Sequence, residues 1–243
     1  METEKIEGVI LRTTDFGDAN RVVTIYTKDF GKLELNAYGC RRARSSMSGA
    51  LQIFNHITAE IGHGAKVSTI READVVKFYG NLTADIERLS YAAVFFEIVN
   101  RMTLPKFPEP ELYDLLIKAL PALNDFDARI AALVGVCQFM EFTGFQMSYF
   151  NCAHCGKEIV GDAKINLKEG GAMCNSCGFV TDLNYPENLR LAFAKMLTYD
   201  WRGELKLNQQ QINSAEEILW RHVRGVIGKE LNSIKFIRQL QKN

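Results

Sequence analysis

Two runs, Arg21-Val-Val-Thr-Ile-Tyr-Thr27 and Lys32-Leu-Glu-Leu-Asn-Ala37, decide how the first third of the chain is read. In the second run Leu33, Leu35 and Ala37 share one face, while Lys32, Glu34 and Asn36 share the other. Alternation with a period of two marks a strand with one side buried. The break between them, Asp29-Phe-Gly31, carries turn chemistry, as do Asp15-Phe-Gly-Asp18 and His63-Gly64. Working outward, Ile6 to Leu11 reads as the preceding strand, with His56 to Ile61 and Lys66 to Ile70 as two that follow.

Five short strands in so few residues suit a small closed sheet, of which the oligonucleotide-binding (OB) barrel is the commonest kind. The expectation is an OB barrel over residues 1–80, with an SH3-like barrel the alternative. Between the third and fourth strands lies Gly39-Cys-Arg-Arg-Ala-Arg-Ser-Ser-Met-Ser-Gly49. Arg41, Arg42 and Arg44 in a loop of small residues are what a phosphate-tracking segment looks like. They are also what a solvated loop paired with surface carboxylates looks like. Arg12, Arg21 and Lys32 on neighbouring strands bring the two readings level. Phe16, Tyr26, Phe30 and Tyr38 could stack on bases, although most aromatics at strand positions are core.

From Leu82 the period changes. Ile86, Leu89, Ala93, Phe96 and Asn100 form one helical stripe, widened by Phe95, Ile98, Val99 and Met102, so this helix must be buried on most of its circumference. Pro105, Pro108 and Pro110 make a stiff connector, and the helix from Glu111 to Leu123 should be kinked or ended by Pro121. Asp127 caps a third helix running to Thr143, with Gly144 as its stop and Cys137 and Met140 on its core side. Pro186 opens a further helix, and Asn208 caps a last long one. Its outer side carries Arg221, Arg224 and Lys229, and the tail adds Lys235, Arg238 and Lys242. This basic end is either a solvated face or a second nucleic-acid contact. Gly225-Val-Ile-Gly228-Lys229 mimics part of a phosphate loop, but Val223 and Glu230 stand where Gly and Ser or Thr are required.

Interrupting the helices at about 150–182 are Cys152-Ala-His-Cys155 and Cys174-Asn-Ser-Cys177. Paired C-x-x-C at this separation is the spacing of a four-thiolate zinc site. Four thiolates leave no open position for water, so Cys152, Cys155, Cys174 and Cys177 are expected to hold a structural ion in a zinc-ribbon-like insert. A thioredoxin-type motif would need a single pair opening a helix. A base deaminase would need H-x-E and a proline before a pair, and neither is present.

The 243 residues, 47% of them hydrophobic, can bury one large or two modest cores. Lys plus Arg and Asp plus Glu both number 29, so any polyanion surface must be local. Free Cys40 and Cys137 beside a metal motif suggest a reducing compartment. With no apolar signal core and no membrane-length apolar window, a soluble cytoplasmic protein is expected. There is no H-E-x-x-H, G-x-S-x-G or Walker segment, and hence no expected enzyme.

In order, Gly8-Val-Ile-Leu-Arg12, Phe16-Gly-Asp-Ala-Asn-Arg21 and Phe30-Gly-Lys32 resemble the bacterial DNA repair family RecO. So do Gly39-Cys-Arg41-Arg42 with Gly49-Ala-Leu-Gln-Ile-Phe54 (as basic loop and following strand), the two C-x-x-C pairs and Leu231-Asn-Ser-Ile-Lys-Phe236. Tyr38 departs from the family's usual Lys, and Cys40 from its Ala. The resemblance implies an α+β multidomain chain: the barrel, then an α-helical domain over 81–243 carrying the zinc insert. It implies a recombination mediator that binds single- and double-stranded DNA, anneals complementary strands and contacts the C-terminal tail of the single-stranded-DNA-binding protein SSB. Such a mediator acts with RecR to load RecA at gaps and works at the nucleoid. The competing class is a zinc-stabilised protein-interaction adaptor that does not touch DNA.

Overall fold

The structure, a computed structural model, describes residues 3–64 and 67–240. The expected strand start at Lys66 and the basic Lys242 lie outside the described residues. Strands β1 (Thr3–Phe16), β2 (Asn20–Thr27) and β3 (Gly31–Ala37) form an antiparallel meander. A short helix α1 (Met47–Ala50) leads to β4 (His56–Gly62) and β5 (Thr69–Lys77). The neighbour order is β1-β2-β3-β5-β4, with β4 pairing back onto β1 and a narrow seam between β3 and β5, where Asn36 pairs with Thr69.

The sheet differs from the sequence reading in two places. The fifth strand begins at Thr69, not near 66, and continues through Lys77. The segment Gly49–Phe54 is not a strand but α1 followed by turns. Its side chains explain why: Ala50 and Leu51 plug the end of the sheet's interior, while Phe54, at φ 72°, turns away to meet Phe96 edge-on at 4.9 Å.

Inside the sheet pack Ile6, Ile10, Val23, Ile25, Leu35, Ile57, Ile61 and Ile70. A bulge between Ile10 and Arg12 inserts Leu11. Four successive residues of β1, Gly8 to Leu11, are buried: Ile10 faces inward, while Val9 and Leu11 join the helical core with Tyr26 and Phe54.

The helical part begins with α2 (Gly80–Ala84) and α3 (Ile86–Met102), the latter buried along its middle, with Ile86, Glu87 and Arg101 exposed at its ends. The connector bearing Pro105 and Pro108 lies against β3: Lys106 N–H donates to the Lys32 carbonyl at 2.9 Å. Gly31, at φ 65°, sits so close to it that a Cβ would lie 2.3 Å from the Phe107 oxygen. Helix α4 (Pro110–Asp125) starts at Pro110 and runs through Pro121 rather than ending there. Pro121 and Ile117, whose helical hydrogen bond a proline cannot supply, line an open groove, where the freed carbonyl can meet water. Helix α5 (Ala128–Phe142) is capped by Asp127, as its sequence suggests, with Cys137 and Met140 fully buried.

The cysteine segment builds a small sheet of β6 (Ala163–Asn166), β7 (Gly171–Met173) and β8 (Leu183–Tyr185) in the order β7-β6-β8, ending three residues beyond the expected 182. Helices α6 (Glu187–Leu197) and α7 (Gln209–Ile227) follow; α7 has a full capping box from Asn208 and Gln211 and ends at left-handed Gly228. A final helix, α8 (Asn232–Leu240), packs on α3. No helix among the described residues is long and apolar enough to cross a membrane.

Candidate nucleic-acid interface and metal centre

The basic loop is a built turn, pinned onto the β1–β2 connection. Gly39 bends it at φ 67°, its N–H donates to the Asn20 side chain at 2.9 Å, and Arg41 N–H donates to the Ala19 carbonyl at 3.0 Å. Two further turn bonds, Arg42 N–H to Gly39 and Ser45 N–H to Arg42, keep the backbone folded. Arg41, Arg42 and Arg44 all reach solvent. No ion pair engages Arg42 or Arg44 among the described residues, and the Arg42 guanidinium folds back over Gly39.

The other expected contacts divide sharply. Arg12 is exposed on the outer face of β1, in the row that pairs it with Thr24 and, one strand further, Glu34. Arg21 is tied into the fold: Nε donates to Asp15 at 2.8 Å and Nη1 to the Leu51 carbonyl at 2.6 Å, closing the sheet's end. Arg41 shares that same Asp15 at 3.1 Å. The Arg21 hydrogen bond, then the two positive charges, hold the Asp15 carboxyl below its ordinary range. Lys32 is also structural, because Nζ donates to the Asn100 and Thr103 carbonyls at the end of α3. Burial lowers its pKa. Arg21 and Lys32 are both half-buried and spend hydrogen bonds inside the fold, unlike the exposed loop arginines.

On α7, Arg224 is exposed and Arg221 pairs with Glu217 at 2.6 Å, four residues back. These arginines stand on a helix packed against α5 and α6, not on the sheet that bears the loop. Of the four aromatics, Tyr26 is fully buried and its hydroxyl accepts from Glu109 N–H, while Phe30 packs on the sheet's core. Phe16 and Tyr38 remain at the surface, beside the loop.

The four motif cysteines converge. One sulfur from each lies within 4.8 Å of all the others, and Cys155 and Cys174 are 3.9 Å apart. Tetrahedral sulfurs at zinc–sulfur distance would stand about 3.8 Å apart, so the donor set fits one ion. Each pair sits on a tight turn: Gly156 N–H donates to the Cys152 carbonyl, and Gly178 N–H to the Cys174 carbonyl. Burial opposes ionisation of Cys152, but the N–H groups of Cys174, Cys155 and His154 outweigh it and hold the thiol down to about 6. Cys177, hydrogen-bonded to the Cys174 thiol and hemmed in by the other sulfurs, is pushed up to about 12. Four sulfurs this close cannot all be thiolates without a cation. Arg190 on α6 anchors the segment from outside, donating to the Ile159 and Gly161 carbonyls.

Family models described as "Recombination protein O N terminal" and "Recombination protein O C terminal" match residues 1–79 and 83–235. The chain belongs to the RecO family. Similar proteins include the "DNA repair protein RecO" of Bacillus pumilus, 28% identical over 98% of this chain and 94% of that one. Those of Listeria monocytogenes serotype 4a and Halalkalibacterium halodurans are 26% and 23% identical, each over 98% of this chain and 95% of the relative. RecO membership puts the chain in a family of DNA repair and recombination proteins, and it joins two observations: an exposed arginine loop on a five-stranded sheet, and a four-sulfur cluster that could hold a metal ion.

Proposed function

We propose that this chain is a recombination mediator rather than an enzyme. It binds single- and double-stranded DNA along the loop face of an OB-type barrel (1–80), anneals complementary strands, takes the SSB tail on the helical domain (81–243), and acts with RecR to load RecA. Its place would be the cytoplasm, at the nucleoid. The observation that carries this reading is the exposed Arg42–Arg44 loop, folded onto the sheet and free of carboxylate partners among the described residues. Annealing requires neutralising phosphates on two strands without reading bases, which arginines held by backbone geometry can do. Arg12 and Arg41 extend the surface, and Arg224 with Arg221 on α7 supplies a second, separate one. Zinc, when bound to Cys152, Cys155, Cys174 and Cys177, supplies a tetrahedral cross-link. The cysteines, their glycine turns and Arg190 hold the 150–185 segment in place around it.

Anisotropy titrations with labelled single strands and duplexes at rising salt test the reading, followed by annealing of SSB-coated strands. Affinity falling steeply with salt, and annealing lost with Arg42→Ala and Arg44→Ala, is the expected result; no binding even at low salt overturns it. The adaptor reading has one feature in its favour, the exposed Phe179 and Val180 at the cysteine segment's tip. It requires that no DNA bind at all.

A further inference from the structure

On the outer face of β1, β2 and β3 the residues fall in cross-strand rows. Thr14 pairs with Val22 and Val22 with Asn36; one row nearer the loop, Phe16 pairs with Asn20. Tyr38 comes just past the last β2–β3 pair, Arg21 with Ala37, so it stands at the end of that row. Its ring meets Phe16 edge to face at 6.0 Å and 78°, its hydroxyl accepts from Asn36 Nδ2 at 3.2 Å, and it is still 55% exposed. The ring is held at its edge and tip and open to water, and an aromatic face held in this way can receive a flat partner. The adjoining residue is Gly39, over which the Arg42 guanidinium lies. An aromatic surface and a cation stand together here, one suited to a base and the other to its phosphate.

We propose that Tyr38, braced by Phe16 and Asn36, is a stacking platform for one unpaired base of single-stranded DNA. The proposal rests on the DNA-binding reading above and adds a distinction between strand states: a paired base keeps its faces covered by its neighbours, so the platform serves single strands alone. Arg42 and Arg44 act on both.

The test compares Tyr38→Ala and Tyr38→Phe with the unmodified full chain, all checked for equal melting, on a short oligothymidylate and a blunt duplex at one salt concentration. Tyr38→Ala should bind the single strand about tenfold more weakly, with unchanged duplex affinity and unchanged salt slope. Tyr38→Phe should bind near the unmodified level, and 2-aminopurine in the oligonucleotide should lose its quenching only with Tyr38→Ala. Equal loss on strand and duplex, no loss, or equal weakness of both variants overturns the platform. An unmodified chain that binds neither DNA overturns the DNA-binding reading itself and the platform with it. Binding that is indifferent to Tyr38→Ala overturns the platform alone.

Discussion

Lys32 Nζ on β3 lies 2.5 Å from the Asn100 carbonyl oxygen on α3, across 68 residues of chain, and 2.6 Å from that of Thr103. A cation at a helix C-terminus satisfies carbonyls that have no intrahelical partner and opposes the negative end of the dipole. Replacing Lys32 with Met should therefore lower stability by about 1–3 kcal/mol, seen as a lower urea midpoint at unchanged slope. DNA affinity measured well below the transition should stay close to that of the unmodified chain.

Arg42 and Arg44 should behave in the opposite way. Removing both should flatten the salt dependence for single strands by up to about 1.4 in slope, at about 0.7 for each phosphate no longer neutralised. Melting should not move, because neither side chain bridges elements. Arg21→Ala is the control: it gives up Asp15 and the Leu51 carbonyl, so it should cost about 1–3 kcal/mol of stability.

Glu97 reports on the last helix. Its carboxylate accepts from the Ser233 N–H and hydroxyl and from the Asn232 N–H, acting from α3 as the N-cap of α8, and it pairs with Arg101. Burial opposes its ionisation, but the Ser233 bonds and Arg101 outweigh that and keep its pKa below 4.5. A carboxyl lowered in the folded state stabilises fully above its unfolded value and loses that contribution as pH falls through the folded one. Glu97→Gln should thus weaken α8 at neutral pH and flatten the acid limb of stability below about pH 4.5. Hydrogen exchange across 232–240 at neutral and acidic pH checks both.

Stripping metal with a chelator, or replacing Cys174 and Cys177 with serine, should open 150–185 to proteolysis while leaving the five-stranded sheet protected. Metal analysis of the intact chain should return one zinc per molecule. Unchanged proteolysis after chelation would refute a structural ion.

What could be read from the sequence follows the range of the interactions involved. Alternation locates β3 almost to the residue because the pattern is local, and the apolar run Arg21–Thr27 does the same for β2. β5 was displaced because only Ile70 and Ala73 are buried along it, with Glu72, Asp74, Val75 and Val76 outside, so alternation is lost. α8 is not legible for a related reason: its cap comes from Glu97, far back in the chain. The cysteines announced themselves by spacing alone. The contacts that Arg21 and Lys32 make within the fold are not legible in the sequence, since Leu51 and Asn100 lie 30 and 68 residues away. Tyr26 and Tyr38 had equal claims as stacking residues until the core claimed the first.

Val9, Leu11, Tyr26 and Phe54 belong to the N-terminal part of the chain, yet their side chains pack in the helices' interior. The sheet that carries the arginine loop is thus keyed into the helices by side chains and not tethered by the chain alone. Its distance from α7 is set by side-chain interlock, so an oligonucleotide spanning both would have to adopt that gauge, bending itself rather than the polypeptide.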